Sequence, residues 1–258
     1  MSITSTLVDR AEIRFHEAAG ALRPFVGCFW VITAESDATI RIVPDGSTAI
    51  SMQLRDGGAS AWFLRGPLVR PETRRYAAGT TVVGVRLRPG VAYMLTGIAA
   101  HAMVGRQLRL DDIPRPSPLA PMECIDALQR VLIRRLQDAN VHRAVAAAIR
   151  EVERERGCLP VAQLAARCEV SPRHLNRLMR TWVGYGPKRF ASIVRFQETL
   201  SRIEHAPGRP AATLASETGF FDQAHLATAL TRFAGATPRR LASGSVAEFS
   251  KTRCDDPS

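Results

Sequence analysis

The sequence predicts an α+β chain: an N-terminal β-rich small barrel or sandwich, a helical linker, and a C-terminal all-α unit of two tandem helix-turn-helix motifs. Three observations predict it. Short runs rich in β-branched or aromatic residues, parted by Pro, Gly and Asp turns, fill the first part of the chain. Helical periodicity takes over after a Pro-rich stretch. One helical pattern then occurs twice, about fifty residues apart. The expected boundaries are 1–115 for the β-rich domain, 116–157 for a helical connector, 158–243 for the tandem unit and 244–258 for a flexible tail.

The β-rich part carries candidate strands at 25–32, 39–43, 49–54, 61–64 and 81–87. Between them lie Pro44-Asp45-Gly46, Asp56-Gly57-Gly58, Gly66-Pro67 and Pro89-Gly90, whose backbones favour tight turns. Strands at this spacing suit a small barrel or sandwich. Residues 91–103 are compatible with a helix. Pro114, Pro116, Pro118 and Pro121 mark the connector, and helical patterns follow at 122–137 and 141–156.

Composition narrows the class. With 46% hydrophobic and 23% charged residues, the 258-residue chain is globular rather than disordered. Against 24 acidic residues stand 35 basic ones, nearly all arginine, so the net charge of +11 points to a polyanionic partner. That excess is local: residues 158–243 hold 12 basic and 5 acidic side chains. The longest uncharged stretch, 89–105, contains Thr96 and His101 and falls short of a membrane helix. No basic start followed by an apolar core marks a secretory leader. Five cysteines without a C-x-x-C pair suit a reducing compartment. A cytoplasmic protein without membrane partners is expected.

The repeat carries the functional expectation. Leu164-Ala165 returns as Leu214-Ala215, and Val170 as Phe220. Each unit continues with apolar residues at i, i+3, i+4 and i+7: Leu175, Leu178, Met179 and Trp182, then Leu226, Ala229, Leu230 and Phe233. From the turn position to the leading leucine the spacing is six residues in the first unit and seven in the second. Ser171 followed by Pro172 starts the second helix of the first unit, and Asp222 does so in the second. A helix spanning 188–205 joins the units. With the apolar face turned inward, Arg173, Asn176, Arg177 and Arg180 face outward. Arg and Asn side chains make bidentate contacts to guanine and adenine edges in the major groove. Arg180, Lys188, Arg189 and Arg195 are placed to meet phosphates, which fix register without reading sequence. A charge run of this kind also serves as a merely solvated face; the repetition favours DNA.

At these residues the chain resembles the AraC/XylS transcription regulators. The resemblance rests on Leu164-Ala165, Val170-Ser171-Pro172-Arg173-His174-Leu175, Arg177 and Gly184-Tyr185-Gly186-Pro187 in the first unit. Gly219-Phe220, Asp222-Gln223, His225-Leu226 and Gly235-Ala236-Thr237-Pro238 carry it in the second. It implies two recognition helices in successive major grooves of a double-stranded operator, with Arg173, Asn176 and Arg177 as base readers of the first unit. Gln223, His225 and Thr228 take those places in the second, and Arg232 is the cation left for phosphate there. Glu169 stands where the family has glycine, which strains the backbone if φ is positive. The thin charge of the second helix leads us to expect that the first unit dominates affinity.

The β-rich part resembles N-terminal domains joined to such regulators through Ile42-Val43-Pro44-Asp45-Gly46, 83–90 and 108–113. That implies sensing of a small-molecule effector or formation of a homodimer, with RNA polymerase as a further partner. Alternation puts Arg86 and Arg88 on one strand face, which suits a solvated face or an anionic effector. Trp30, Trp62, Phe63 and Tyr93 suit either an apolar pocket or the core. His101, in an apolar stretch without a metal-ligand partner, suits a buried hydrogen-bonded histidine. No cofactor motif, metal spacing or enzyme signature is found, so no enzyme is expected. The alternatives are a DNA-repair or DNA-modifying fusion, although no cysteine lies in a Pro-Cys-His-Arg setting, and a protein-interaction module that does not bind DNA.

Overall fold

A computed structural model describes residues 3–8, 11–18, 20–55, 58–111, 113, 120–137, 139–206, 208–237, 240–241 and 248–249. Residues 114–119 of the Pro-rich stretch and most of the expected flexible tail lie outside these residues. The first part forms two sheets. The larger contains β1 (Ile3–Val8), β2 (Ala11–His16), β3 (Val26–Ala34), β9 (Thr80–Leu87), β5 (Thr48–Arg55), β7 (Trp62–Arg65) and β10 (Gln107–Leu110) in that spatial order, with β6 (Gly58–Ala59) paired to β5. The smaller consists of β4 (Ala38–Ile42), β8 (Glu72–Tyr76) and β11 (Glu248–Phe249). The last of these pairs parallel to β4, so part of the expected tail returns to the sheet.

Period-two alternation assigns the two faces of the large sheet. Phe29, Val31, Ile50, Met52, Val83, Val85 and Leu87 face α1 (Val91–Thr96) and α2 (Pro121–Leu136), and share a core with Cys124, Ile125, Leu128, Leu132 and Leu136. Cys28, Trp30, Ile32 and Val82 point the other way and meet Ile40 and Tyr76 of the small sheet. Trp30 lies across Gly84, its antiparallel partner, and a Cβ there would stand 2.2 Å from the indole. Only glycine lets that ring lie flat on the sheet.

The connector is divided rather than separate. Its first helix, α2, completes the N-terminal core, whereas α3 (Arg143–Arg154) contributes Val145, Ala148 and Val152 to the C-terminal core. The sequence reading missed β1, β2, the two-residue β6, β8 and β10. Glu-Thr-Arg-Arg-Tyr of β8 has no apolar run, because it is a strand of the small sheet with only one covered face. The helix expected over 91–103 ends at Gly97 (φ 66°) and resumes as a single 3-10 turn, Ala100–Met103.

The C-terminal part is all helical, with α4 (Val161–Arg167), α5 (Pro172–Val183), α6 (Pro187–His205), α7 (Ala211–Glu217) and α8 (Gln223–Ala234). Leu175, Met179, Phe196, Leu226, Leu230 and Phe233 are buried together with α3 in one core. The rings of Phe196 and Phe233, 5.4 Å apart, tie the connecting helix to the second unit.

Candidate nucleic-acid interface

Each unit is built as its sequence requires. In the first, Ser171 accepts a hydrogen bond from the His174 amide and caps α5, with Pro172 at the first helical position. In the second, Asp222 accepts from the His225 amide at 2.7 Å and caps α8. Gly184 and Gly235 end the two helices in the left-handed conformation. Glu169 has φ 57°, so the expected strain is present at the first turn; Gly219 takes the same conformation (φ 73°) in the second.

Both recognition helices thus have 12 residues between equivalent caps. Arg173, Asn176, Arg177 and Arg180 of α5 then coincide with Ala224, Ala227, Thr228 and Thr231 of α8. All four α5 residues are exposed, opposite a face whose Leu175 and Met179 are fully buried. With Ser171, His174 and Thr181 they line an open groove of about 570 Å³, and His101 of the 3-10 turn forms its far side. Arg177 donates to His174 Nδ1 at 3.1 Å, which pre-orients its guanidinium. Asn176 is more constrained: its Oδ1 sits against the Gly186 backbone, where a Cβ would lie 2.2 Å away. On α8, Gln223, His225 and Thr228 are exposed, but only Thr228 stands where α5 has an expected reader, since Gln223 and His225 align with Pro172 and His174. Thr228 donates its hydroxyl to the Ala224 carbonyl.

The phosphate candidates divide. Lys188 and Arg189 are exposed in the first turn of the 19-residue α6. Arg180 is exposed beside the groove. Arg232 is exposed, with its guanidinium over the Phe233 ring. Arg195 differs from the expectation: it donates to the Gly219 carbonyl at 2.9 Å and lies over the Phe220 ring, bracing the second turn from α6.

The N-terminal candidates are placed otherwise than expected. Arg88 and Arg86 do not share a face, because β9 ends at Leu87. Arg88 donates to the Arg23 carbonyl at the surface, whereas Arg86 is buried and ion-paired with Asp45 at 2.9 Å. That pair lines a largely apolar cavity of about 60 Å³ between the sheets, with Trp30, Ile40, Arg65 and Tyr76. Burial and the nearby Arg74 charge disfavour the charged form of Arg65. Trp62 lies on the opposite face of the sheet and is core. His101 is exposed rather than buried and donates from Nδ1 to the Arg180 carbonyl at 3.3 Å. Tyr93 packs on Trp182, ring centroids 4.7 Å apart, across the domain boundary.

The same boundary gives contacts to residues that the sequence placed only in a turn and in family-like segments. Segment 43–47 has Val43, Asp45 and Ser47 against the cavity. Its other side meets α6: Gln197 donates to the Pro44 carbonyl at 2.7 Å, and Gly46 lies so close to Phe190 that a Cβ would be 2.7 Å from its ring. The Tyr185 hydroxyl is buried without a hydrogen-bond partner, and burial, then Asp45, push it far above the ordinary tyrosine range. Among the described residues no cluster of His, Cys, Asp or Glu is suited to a metal ion, and no helix is long and apolar enough to cross a membrane.

Residues 164–243 match a family described as a helix-turn-helix domain, and residues 14–109 match a domain of unknown function, DUF6597. No curated protein matches the chain. Among solved structures, the C-terminal domain of AraT, a response regulator from Geobacillus stearothermophilus, is 17% identical with a TM-score of 0.39, over 42% of this chain and 90% of that one. ToxT from Vibrio cholerae is 7% identical with a TM-score of 0.46, over 83% and 96%. Wild-type ToxT with a bound unsaturated fatty acid is 10% identical with a TM-score of 0.44, over 93% and 95%.

Proposed function

We propose that the chain, with a helix-turn-helix domain at 164–243 and a DUF6597 domain at 14–109, is a DNA-binding transcription regulator of the AraC type that reads its operator chiefly through α5 and answers to an effector held by the N-terminal domain. The observation that supports base reading is the exposed row Arg173, Asn176 and Arg177, with Arg180 beside it for phosphate, on a helix whose other face buries Leu175 and Met179. Three of these are cations, and α8 offers none at the equivalent positions. Lys188, Arg189 and Arg232 would hold phosphates. The reading assigns no catalytic role, places the protein in the cytoplasm, and takes RNA polymerase and a second copy of the chain as further partners.

Segment 43–47 supports effector response. At about 60 Å³ the cavity is far below the roughly 300–1,000 Å³ of ligand pockets. A ligand of metabolite size enters only by moving its walls, and one wall is the segment that Gln197 and Phe190 hold from α6. Displacement of Asp45 or Pro44 is therefore felt in the helix joining the two DNA-reading units.

Selection of bound sequences from random duplexes with the full chain, across a salt series, tests the reading. A defined operator and a counterion-release slope of several units are expected. No enriched sequence, or no binding at low salt, would overturn it.

A further inference from the structure

The two units are equal from cap to cap and unequal in one residue before the cap. Val170 is followed directly by the cap Ser171, whereas Phe220 is followed by Phe221 and only then by the cap Asp222. The six-against-seven spacing in the sequence is this insertion. Phe220 fills the place of Val170, packing edge-on to the His225 ring under Arg195. The extra phenylalanine has no core left to enter. It is 93% exposed, while the next most open large apolar side chains among the described residues reach 39%. Its backbone is held, since the Phe221 amide donates to His225 Nδ1.

A single exposed apolar residue is ordinary on a protein surface. Position distinguishes this one. In helix-turn-helix proteins the first residues of the second helix touch base edges, so a residue directly ahead of the cap stands at the same groove. The helix behind it has Ala224, Ala227, Thr228 and Thr231 where α5 has three arginines and an asparagine. The second unit is thus poor in groups for guanine or phosphate and carries one large apolar group at its leading end. The apolar feature of the major groove is the C5-methyl group of thymine.

We propose that Phe221 is a specificity-determining residue of the second unit, packing its ring against a thymine methyl group in the major groove. The proposal rests on the DNA-binding reading above. It accounts for an aromatic side chain left in water at a DNA-facing turn, and it gives the weakly charged unit a means of selecting sequence.

The test uses the full chain and the operator selected from random duplexes. Each thymine is replaced singly by deoxyuridine, which removes the methyl group alone, and Kd is measured for wild type, Phe221→Ala and Phe221→Leu. Exposure of the side chain leaves the fold of the variants unchanged, verified by their circular dichroism and by binding to a duplex containing only the first unit's half of the site. One thymine in the second unit's half is expected at which uracil weakens wild type about fourfold, the worth of one buried methyl group. Phe221→Ala is expected to bind that site equally with thymine or uracil, and Phe221→Leu to retain part of the preference. Uracil effects that are the same in wild type and Phe221→Ala overturn the proposal, as does a second half-site without thymine. Unchanged operator binding by Phe221→Ala with loss of transcription in vitro also overturns it and assigns the ring to a protein partner. Failure of the DNA-binding reading looks different: wild type itself then enriches no sequence.

Discussion

The side-chain amide of Gln197 donates to the carbonyl of Pro44 at 2.7 Å, joining the long helix between the two DNA-reading units to the loop that walls the β-domain cavity. Gln197 is 6% exposed, so the bond is made away from water. A buried carbonyl that loses its donor is left with its full desolvation penalty.

Gln197→Ala is accordingly expected to destabilise the chain by about 1–3 kcal/mol. The loss should fall on the junction between the domains rather than on either core. Urea unfolding followed separately by Trp182, at the boundary, and by far-ultraviolet dichroism is the measurement. The two probes should separate in the variant, with the boundary signal changing first. Coincident transitions with an unchanged midpoint would show that the contact carries no coupling.

The division of the basic residues makes a second prediction. Arg177 is oriented by His174 on the base-facing row, whereas Arg189 stands in the first turn of α6. Arg177→Ala should lose about 1–3 kcal/mol of discrimination between the operator and a variant site. Arg189→Ala should weaken all sequences alike and lower the salt slope by about one unit. Binding isotherms at four or more salt concentrations, on specific and scrambled duplexes, separate the two behaviours. An Arg177→Ala chain as selective as wild type would remove that side chain from the readout.

These roles were legible in the sequence to different depths. The tandem unit follows from local signals: leucine spacing, a Ser-Pro start, glycine ends. Such signals act within one or two helical turns, so a single sequence exposes them. The N-terminal placement of Arg86 was not legible. Alternation gives its face, but whether that face meets solvent depends on β4 and β8 crossing over it, a non-local event. Asp45, read as part of a turn and of a family-like segment, becomes its ion-pair partner for the same reason. Arg195 was misread because periodicity places it outward while the second turn, more than twenty residues on, folds back over it. The extra residue at Phe221 was visible as a spacing, and its exposure became meaningful only when both helices were seen to cap at equivalent positions.

Strain at the first turn gives a prediction of opposite sign to most mutations. Glu169 holds φ 57°, a region that costs an L-residue with a Cβ roughly 1–2 kcal/mol. Its carboxylate pairs with Arg143 at 3.5 Å, both side chains more than three-quarters exposed, and such pairs contribute little. Glycine removes the strain but adds roughly 0.5–1 kcal/mol of unfolded-state entropy. Glu169→Gly should therefore stabilise the first unit slightly, by about 0.5–1 kcal/mol, the difference of those two effects. Thermal melting against Glu169→Ala, which keeps the strain and loses the pair, isolates the backbone contribution. A variant less stable than wild type would show that the neighbouring structure already accommodates the side chain.

Acid sensitivity should originate in the β-domain. His16, at the end of β2, is 5% exposed and its Nδ1 makes no hydrogen bond. Burial, with a smaller contribution from the Arg14 charge, lowers its pKa below the ordinary value. The folded chain thus keeps this imidazole neutral at a pH where the unfolded chain, titrating near 6.5, takes up a proton. Stability rises with pH wherever the unfolded state binds more protons. The contribution of His16 is therefore complete above about pH 6.5 and is lost as the pH falls below it. The other five histidines lie exposed or half-exposed, so His16 should dominate the change between pH 7.5 and 5.5, conditions chosen on either side of that ordinary value of about 6.5. Wild type should melt at a lower temperature at the more acid condition, and His16→Leu should lose most of that difference. An equal decrease in both chains would place the acid-sensitive group elsewhere.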